Sequence, residues 1–204
     1  MPTRSSAEPS TPKRAAIQAS VLRATEELLA EGATYADLNI ERIATRAGIS
    51  RTAFYFYFAD KRELLMRLNE GLAEEFYGKA DIWHSGAADP EAEIRESLGN
   101  IMRLYEEHAT LLRVITEVAT YDEEVAAFWR ELMGRFVDAT RERIEGEQRA
   151  GNAPITVAPW PTAFALCIMN ERVVYEEVVQ GTAIAREDLI ETLVQIWMRA
   201  IYDR

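Results

Sequence analysis

The organisation of the chain turns on residues 39–58: Asn39-Ile-Glu-Arg-Ile-Ala-Thr-Arg-Ala-Gly48-Ile-Ser50-Arg-Thr-Ala-Phe54-Tyr-Phe-Tyr-Phe58. Two very short helical patterns meet across Gly48, where a positive φ costs glycine little. Asn39 is placed to cap the first, Ile40 to Ala47, and Ser50 the second, which runs to about Phe58. Ile43, Ala47, Ile49 and Phe54 can share one small core, and Ala44 is small where two helices must approach closely. A buried strand over 54–58 would need a partner strand, and none is evident.

Outward from this stretch the pattern is helical almost throughout. Residues 1–11 carry Ser, Thr, Pro and charge without periodicity, and read as a disordered arm. Pro12 suits a first helical turn, and Ile17, Val21, Leu28 and Leu29 then recur at helical spacing up to Gly32. Asp60 caps a longer helix from Lys61 to about Lys79. A loop is expected over Asp81–Asp89, with Gly86 inside it and Pro90 after it. Further helices are expected at about 90–106, 109–119, 122–149, 159–180 and 186–202, separated at Gly151-Asn-Ala-Pro154 and Gly181-Thr182. The fold class is all-α: a three-helix N-terminal helix-turn-helix domain over 12–59, then a helical ligand-binding and dimerisation domain over 60–204.

Composition narrows the function classes. With 48% hydrophobic residues the 204-residue chain can bury a substantial core. No run approaches the ~18–20 apolar residues of a membrane span. The polar start has no apolar segment of the signal-peptide kind, and the single Cys167 fits a reducing cytoplasm. Residues 1–60 carry seven basic and seven acidic groups, so the net charge of −11 falls on residues 61–204. Exposed charges are screened beyond about 8 Å at physiological salt. A neutral head can therefore meet phosphate while a distant acidic body keeps the protein soluble.

Two short helices joined at a glycine make a helix-turn-helix, whose second helix enters the major groove of double-stranded DNA by its N-terminal end. That end presents Ser50, Arg51, Thr52 and, one turn on, Tyr55. Arg51 can reach guanine bidentately, and Thr52 can offer a hydroxyl or a methyl group to a base edge. Ser50, Tyr57 and Lys61 suit phosphate, Lys61 because it opens a helix whose free amides also favour an anion. Thr34 and Asn39 are further phosphate candidates.

The run Gly48-Ile-Ser-Arg-Thr-Ala-Phe-Tyr-Phe-Tyr-Phe-Ala-Asp-Lys61 resembles the signature of the tetracycline-repressor (TetR) family. Downstream, Val125-Ala-Ala-Phe-Trp129, Leu166-Cys-Ile-Met-Asn-Glu-Arg172 and Thr192-Leu-Val-Gln-Ile-Trp-Met-Arg-Ala-Ile-Tyr202 are similar to the ethionamide-resistance-repressor branch of that family. The resemblance implies a homodimeric repressor of operator DNA, with a C-terminal pocket whose filling by a small hydrophobic effector ends DNA binding.

Ile94, Ile101 and Tyr105 form one helical stripe, and Trp129, Met133, Phe136 and Thr140 another. Asn170, Glu171 and Tyr175 lie on a third helix and Trp197 on the last. The stripes alone are equally a dry bundle core, which would make a ligand-independent repressor. The resemblance assigns these positions to the wall of an elongated apolar cavity. Ala139 and Cys167 stand where larger or more polar residues are expected, so ligand shape stays open. No inward basic cluster is identifiable, which favours a hydrophobic molecule over an anion.

Cys167, mid-helix among apolar neighbours, reads as a small core residue. His84 is expected in a loop and His108 at a helix junction, each capping or exposed. Glu171 beside Arg172 reads as an ion pair or a pocket anchor. No spacing of His, Cys or carboxylates suggests a metal, no cofactor is expected, and enzyme activity is not indicated. Dimerisation is expected through the last two helices, since Val173, Val174, Val178, Val179, Leu189, Ile190, Leu193, Val194 and Ile201 exceed one buried stripe.

Overall fold

A computed structural model describes residues 11–84 and 89–203. Residues 1–10 of the expected 1–11 arm and the centre of the expected 81–89 loop lie outside the described residues, and Thr11 already belongs to a helix. All regular structure among the described residues is helical: α1 (Thr11–Ala30), α2 (Ile40–Arg46), α3 (Arg51–Phe54), α4 (Lys61–His84), α5 (Pro90–Glu107), α6 (Ala109–Val118), α7 (Glu123–Ala150), α8 (Pro159–Tyr175) and α9 (Arg186–Tyr202). A π-helical segment, Glu176–Gly181, prolongs α8, and Arg113 from α6 donates to its Val179 carbonyl at 2.8 Å.

Local chemistry sets most of these boundaries. Asn39 Oδ1 accepts from the Arg42 amide at 2.8 Å and Ser50 Oγ from the Ala53 amide at 3.1 Å, the two caps read from sequence. Asp60 accepts from the Glu63 amide while Glu63 accepts from the Ala59 amide, a reciprocal clamp that starts α4. Asp89 and Asp122 cap α5 and α7, accepting from the amides of Glu91 and of Glu124 and Val125. Gly48, at φ 72°, makes the turn that separates α2 from α3.

By internal packing the chain divides inside α4, into a compact unit ending at Glu70 and a second beginning at Gly71. The expected boundary at 59/60 lies eleven residues earlier. The first turn of α4 stays with the first unit because Lys61 is bonded to the carbonyls of Tyr35 and Leu38.

In the first unit α1 packs on α2 and α2 on α3. Val21, Leu28, Leu38, Ile43, Phe54 and Phe58 are buried, and so is Ala44. Arg46 joins α2 to α1 by a two-pronged bond to Glu31, 2.8 Å on each prong.

In the second unit α7 lies along α8 and α5 along α9, with α6 against α7 and the π segment. A buried ion network ties three chain segments together. Arg143 of α7 bonds Glu147 at 2.6 Å and approaches Glu93 of α5 at 3.6 Å, while Asn152 donates to Glu147 at 2.8 Å.

Candidate functional site

The first unit presents one polar edge. In residues 54–58, Phe54, Tyr57 and Phe58 are buried, whereas Tyr55 is 47% and Phe56 65% exposed. Burial at steps of three and one is the signature of a helical turn; a strand would have buried 54, 56 and 58 together. Ser50, Arg51, Thr52 and Tyr55 therefore face solvent at the start and flank of α3. The Ser50 hydroxyl accepts the capping bond and keeps its proton to donate, and Asn39, capping through its carbonyl oxygen, keeps its amide protons. Phe56 is the residue that sequence reasoning passed over, since an aromatic run suggests core.

Three of the expected contact residues have other occupations. The Lys61 ammonium donates to the carbonyls of Tyr35 at 2.5 Å and Leu38 at 3.0 Å and lies 4.3 Å from the Tyr35 ring centre, and burial lowers its pKa. Two of its three protons are thus spent on the fold. The Thr34 hydroxyl gives its one proton to Asp37 at 2.6 Å, a carboxylate that disfavours a phosphate there. Tyr57 is 8% exposed beneath the guanidinium of Arg14, 5.7 Å from the ring centre. The roles of Lys61 and Tyr57 are invisible to spacing, because Tyr35, Leu38 and Arg14 come to them from more than twenty positions away.

In the second unit the middle helices enclose a cavity of about 90 Å³. Its wall includes Ile94, Ile101 and Tyr105 from α5, Met133, Phe136 and Thr140 from α7, Asn170 and Glu171 from α8, and Trp197 from α9. Trp129 is half-buried one turn before Met133, and Tyr175 is buried; neither lines the cavity. Tyr175 instead accepts from Gln180 at 3.3 Å, against the π segment.

Sequence reasoning missed Phe76, Trp83, His84, Ser97 and Leu98 as lining residues, while Cys167, weighed both as core and as a wall position, does line the cavity. Ser97 and Leu98 complete the α5 stripe begun by Ile94, Ile101 and Tyr105, so the full helical repeat contained them. His84 is not in a loop. Helix α4 continues through it, since Ala80-Asp-Ile-Trp-His84 holds neither glycine nor proline to end the helix, and His84 Nε2 lies 3.3 Å from Thr140 Oγ1. Thr140 in turn contacts Cys167 Sγ at 3.4 Å, and burial pushes the thiol up to about 11.

The polar groups of the wall are few and individually placed. Trp197 donates to Asn170 Oδ1 at 3.1 Å, which fixes the amide with its nitrogen free to donate. Trp83 meets Trp197 edge to face at 5.2 Å. The Ser97 hydroxyl is buried without a hydrogen-bond partner. Glu171 has no ion pair with Arg172, whose guanidinium turns to Glu176 one helical turn on. Burial raises the Glu171 pKa, with Arg172 opposing, and burial and the Glu171 charge together raise that of Tyr105.

The surplus valines and leucines of the last helices are mostly spent inside the chain. Val174, Val179, Leu189, Leu193, Val194 and Ile201 are buried, and Val173, Val178 and Ile190 half-buried. The exposed apolar row on α8 is a different one, Trp160, Phe164 and Ile168 at steps of four, with Ile196 exposed on α9. Elsewhere Glu75, Glu107 and His108 bring potential metal ligands within 4.8 Å at the surface, from positions too far apart in sequence for spacing to reveal. His108 Nε2 lies 3.4 Å from Glu75, as an exposed ion pair would place it. Among the described residues, no helix is long and apolar enough to cross a membrane.

Comparison with known proteins agrees with this arrangement. Residues 21–68 match the family of bacterial regulatory proteins of the tetR type, and residues 94–203 match the C-terminal domain of the transcriptional regulator EthR. The chain is 33% identical over 201 residues to the HTH-type transcriptional regulator EthR of Mycolicibacterium smegmatis, covering 98% of this chain and 91% of that one. It is 29% identical to EthR of Mycobacterium tuberculosis, over 88% of this chain and 84% of that one.

Among solved structures, the fold is shared with the fatty acid degradation regulator FadR of Bacillus halodurans, at a TM-score of 0.71 and 16% identity, over 94% of this chain and 97% of that one. The regulatory protein TetR of Rhodobacter sphaeroides gives a TM-score of 0.69 at 19% identity, over 90% and 98%. The EthR match spans more than half of the sequence, and the Mycolicibacterium relative nearly all of it. This chain belongs to the tetR family of bacterial transcriptional regulators, which are not enzymes, and carries an EthR-type C-terminal domain.

Proposed function

We propose that this regulator is a homodimeric repressor that grips operator DNA through α3 and lets go when a small hydrophobic molecule fills the α5–α7–α8 cavity. The observation that carries the DNA half is the exposed leading edge of α3, with Arg51 and Thr52 free for base edges and Ser50 and Asn39 free for phosphate. Tyr55 and the neighbouring Phe56 offer apolar contact to thymine methyl groups. Thr34, Tyr57 and Lys61 belong to the support of this edge, with Tyr57 and the remaining Lys61 proton as secondary phosphate contacts.

The cavity supports the ligand half. Its wall is almost wholly apolar, with a few individually placed polar groups, as a site for a hydrophobic molecule requires. Established small-molecule pockets run from ~300 Å³ upward, so a ligand must spread the walls as it enters. That differential affinity for a wider arrangement is what shifts a conformational equilibrium. In a dimer it would move the two copies of α3 away from the ~34–36 Å separation of successive major grooves. The EthR relatives are transcriptional regulators by name. A ligand-independent repressor would instead bind DNA without responding to any occupant of the cavity.

Fluorescence anisotropy with DNA from upstream of the protein's own gene tests both halves. The expected result is salt-dependent binding, tighter than to random duplex, that is relieved by a hydrophobic ligand which also raises the melting temperature. Indifference to every duplex would overturn the DNA reading. Binding that no stabilising ligand relieves would leave a repressor without an effector.

A further inference from the structure

We infer that the cavity of the second unit selects lipophilic amines, with the Glu171 carboxylate as counter-ion to the ligand's ammonium group and the aromatic walls receiving its apolar body. This deepens the proposed effector role and rests on it. Glu171 lines the cavity from α8, yet no hydrogen bond or ion pair in the described structure satisfies its carboxylate. Its neighbour Arg172 is committed outward to Glu176. No lysine or arginine stands among the described lining residues, so nothing in the wall neutralises it.

The other titratable groups of the wall add no second carboxylate. His84 contacts Thr140, Thr140 contacts Cys167, and burial favours the neutral forms of the Cys167 thiol and the Tyr105 phenol. Asn170 is held by Trp197 and offers only its amide protons.

Three ligand chemistries can be ranked against these groups. A carboxylate would enter a site that already holds one carboxylate and whose described lining has no lysine or arginine to receive a second. A neutral alcohol would leave Glu171 either charged without a counter-ion or carrying a proton, and both cost free energy in a half-buried wall. An ammonium supplies the missing charge and three donors, for Glu171 and for hydroxyls such as the orphaned Ser97. The five rings of Phe76, Trp83, Tyr105, Phe136 and Trp197 suit both an apolar body and, face on, a cation.

The test uses the full-length protein near pH 7 and three probes of one shape: 4-phenylbutylamine, 4-phenylbutan-1-ol and 4-phenylbutanoate. Affinities are read by calorimetry or by fluorescence of Trp83 and Trp197. The expected order is amine, then alcohol, then carboxylate, with about tenfold between the first two. Glu171→Gln should remove the amine's advantage and leave the alcohol within about twofold. Should the variant not fold, the order on the wild-type protein decides alone. Alcohol or carboxylate binding as tightly as the amine would overturn the charge assignment and leave a hydrophobic effector site standing. So would an amine affinity indifferent to Glu171→Gln. No binding by any of the three would overturn both the amine selectivity and the effector role of the cavity.

Discussion

Tyr35 and Lys61 hold each other twice. The Tyr35 hydroxyl donates to the Lys61 carbonyl at 2.9 Å, and the Lys61 ammonium donates back to the Tyr35 carbonyl while lying against the Tyr35 ring. This clasp fixes the start of α4 to the loop that leads into α2, and so to the strut on which α3 is carried. A lysine in this position looks from sequence like a phosphate contact. Its geometry makes it first a support.

Lys61→Met is therefore expected to cost stability before it costs charge. Two bonds from a charged donor are lost, and the carbonyls of Tyr35 and Leu38 lose their partner, worth roughly 1.5–3 kcal/mol. Tyr35→Phe removes the reverse bond and should cost about 1 kcal/mol. Because both changes break one clasp, the double variant should fall short of the sum by at least ~0.5 kcal/mol. Urea unfolding of the three variants measures this, and strict additivity would show that the two bonds act independently.

Arg51→Ala and Ser50→Ala should separate recognition from support. Arg51 is exposed at the first position of α3, and its loss should lower operator affinity by about 1–3 kcal/mol while random duplex is bound nearly as before. Ser50→Ala removes the cap of α3 and should weaken both kinds of DNA, with a stability loss of ~1 kcal/mol. Parallel titrations of operator and random duplex give the comparison. Equal losses on both DNAs for Arg51→Ala would remove it from base readout.

How much of this was legible beforehand follows from which signals are local. Caps, the Gly48 turn and the helical period are set by residues within four positions of one another, so Asn39, Ser50 and the succession of helices among the described residues could be read directly. The α5 stripe is also local, and Ser97 and Leu98 were available to a stricter use of the same period. His84 was not: its place in the wall depends on α4 continuing past Lys79 and on Thr140, 56 residues away. The exposed row Trp160, Phe164 and Ile168 was hidden for a different reason. In a hydrophobic helix, apolar residues mark every face, and only the partner helices α7 and α9 decide which face is covered.

Ser97→Ala should stabilise the protein, against the usual direction for a buried substitution. The hydroxyl is desolvated and without a partner, so removing it relieves a penalty on the order of 1 kcal/mol. For a chain of this size that is about 2–4 °C in Tm. Thermal unfolding of the ligand-free protein checks it. A lower Tm would mean that the hydroxyl is satisfied in solution, for example by water in the cavity.

Glu171→Gln should show a pH-dependent gain. Burial raises the carboxyl's folded-state pKa above its unfolded value, so the native state holds a proton that the unfolded chain releases first. The native protein then loses stability as pH rises from the unfolded pKa through the raised folded one, and glutamine escapes this loss. The variant should melt above the wild type near pH 8 and level with it near pH 4, both below and above these limits showing no further change from this group. A gain that is the same at both pH values would assign it to packing rather than to charge.

The apolar row on α8 gives the last expectation. Trp160 and Phe164 stack at 5.4 Å while about half exposed, and Ile168 and, on α9, Ile196 add to the exposed apolar surface of the last two helices. A second copy of the same face would bury this surface at a two-fold axis, as an isologous contact requires. Phe164→Asp would place one charge from each subunit into that contact, with no partner for either, and should raise the dimer dissociation constant by at least about a hundredfold. Sedimentation at micromolar concentration would then show a monomer of normal helical content, and operator binding would weaken because two half-sites need two linked readers. A Phe164→Asp protein that still sediments as a dimer would move the interface off this row, whatever its DNA affinity.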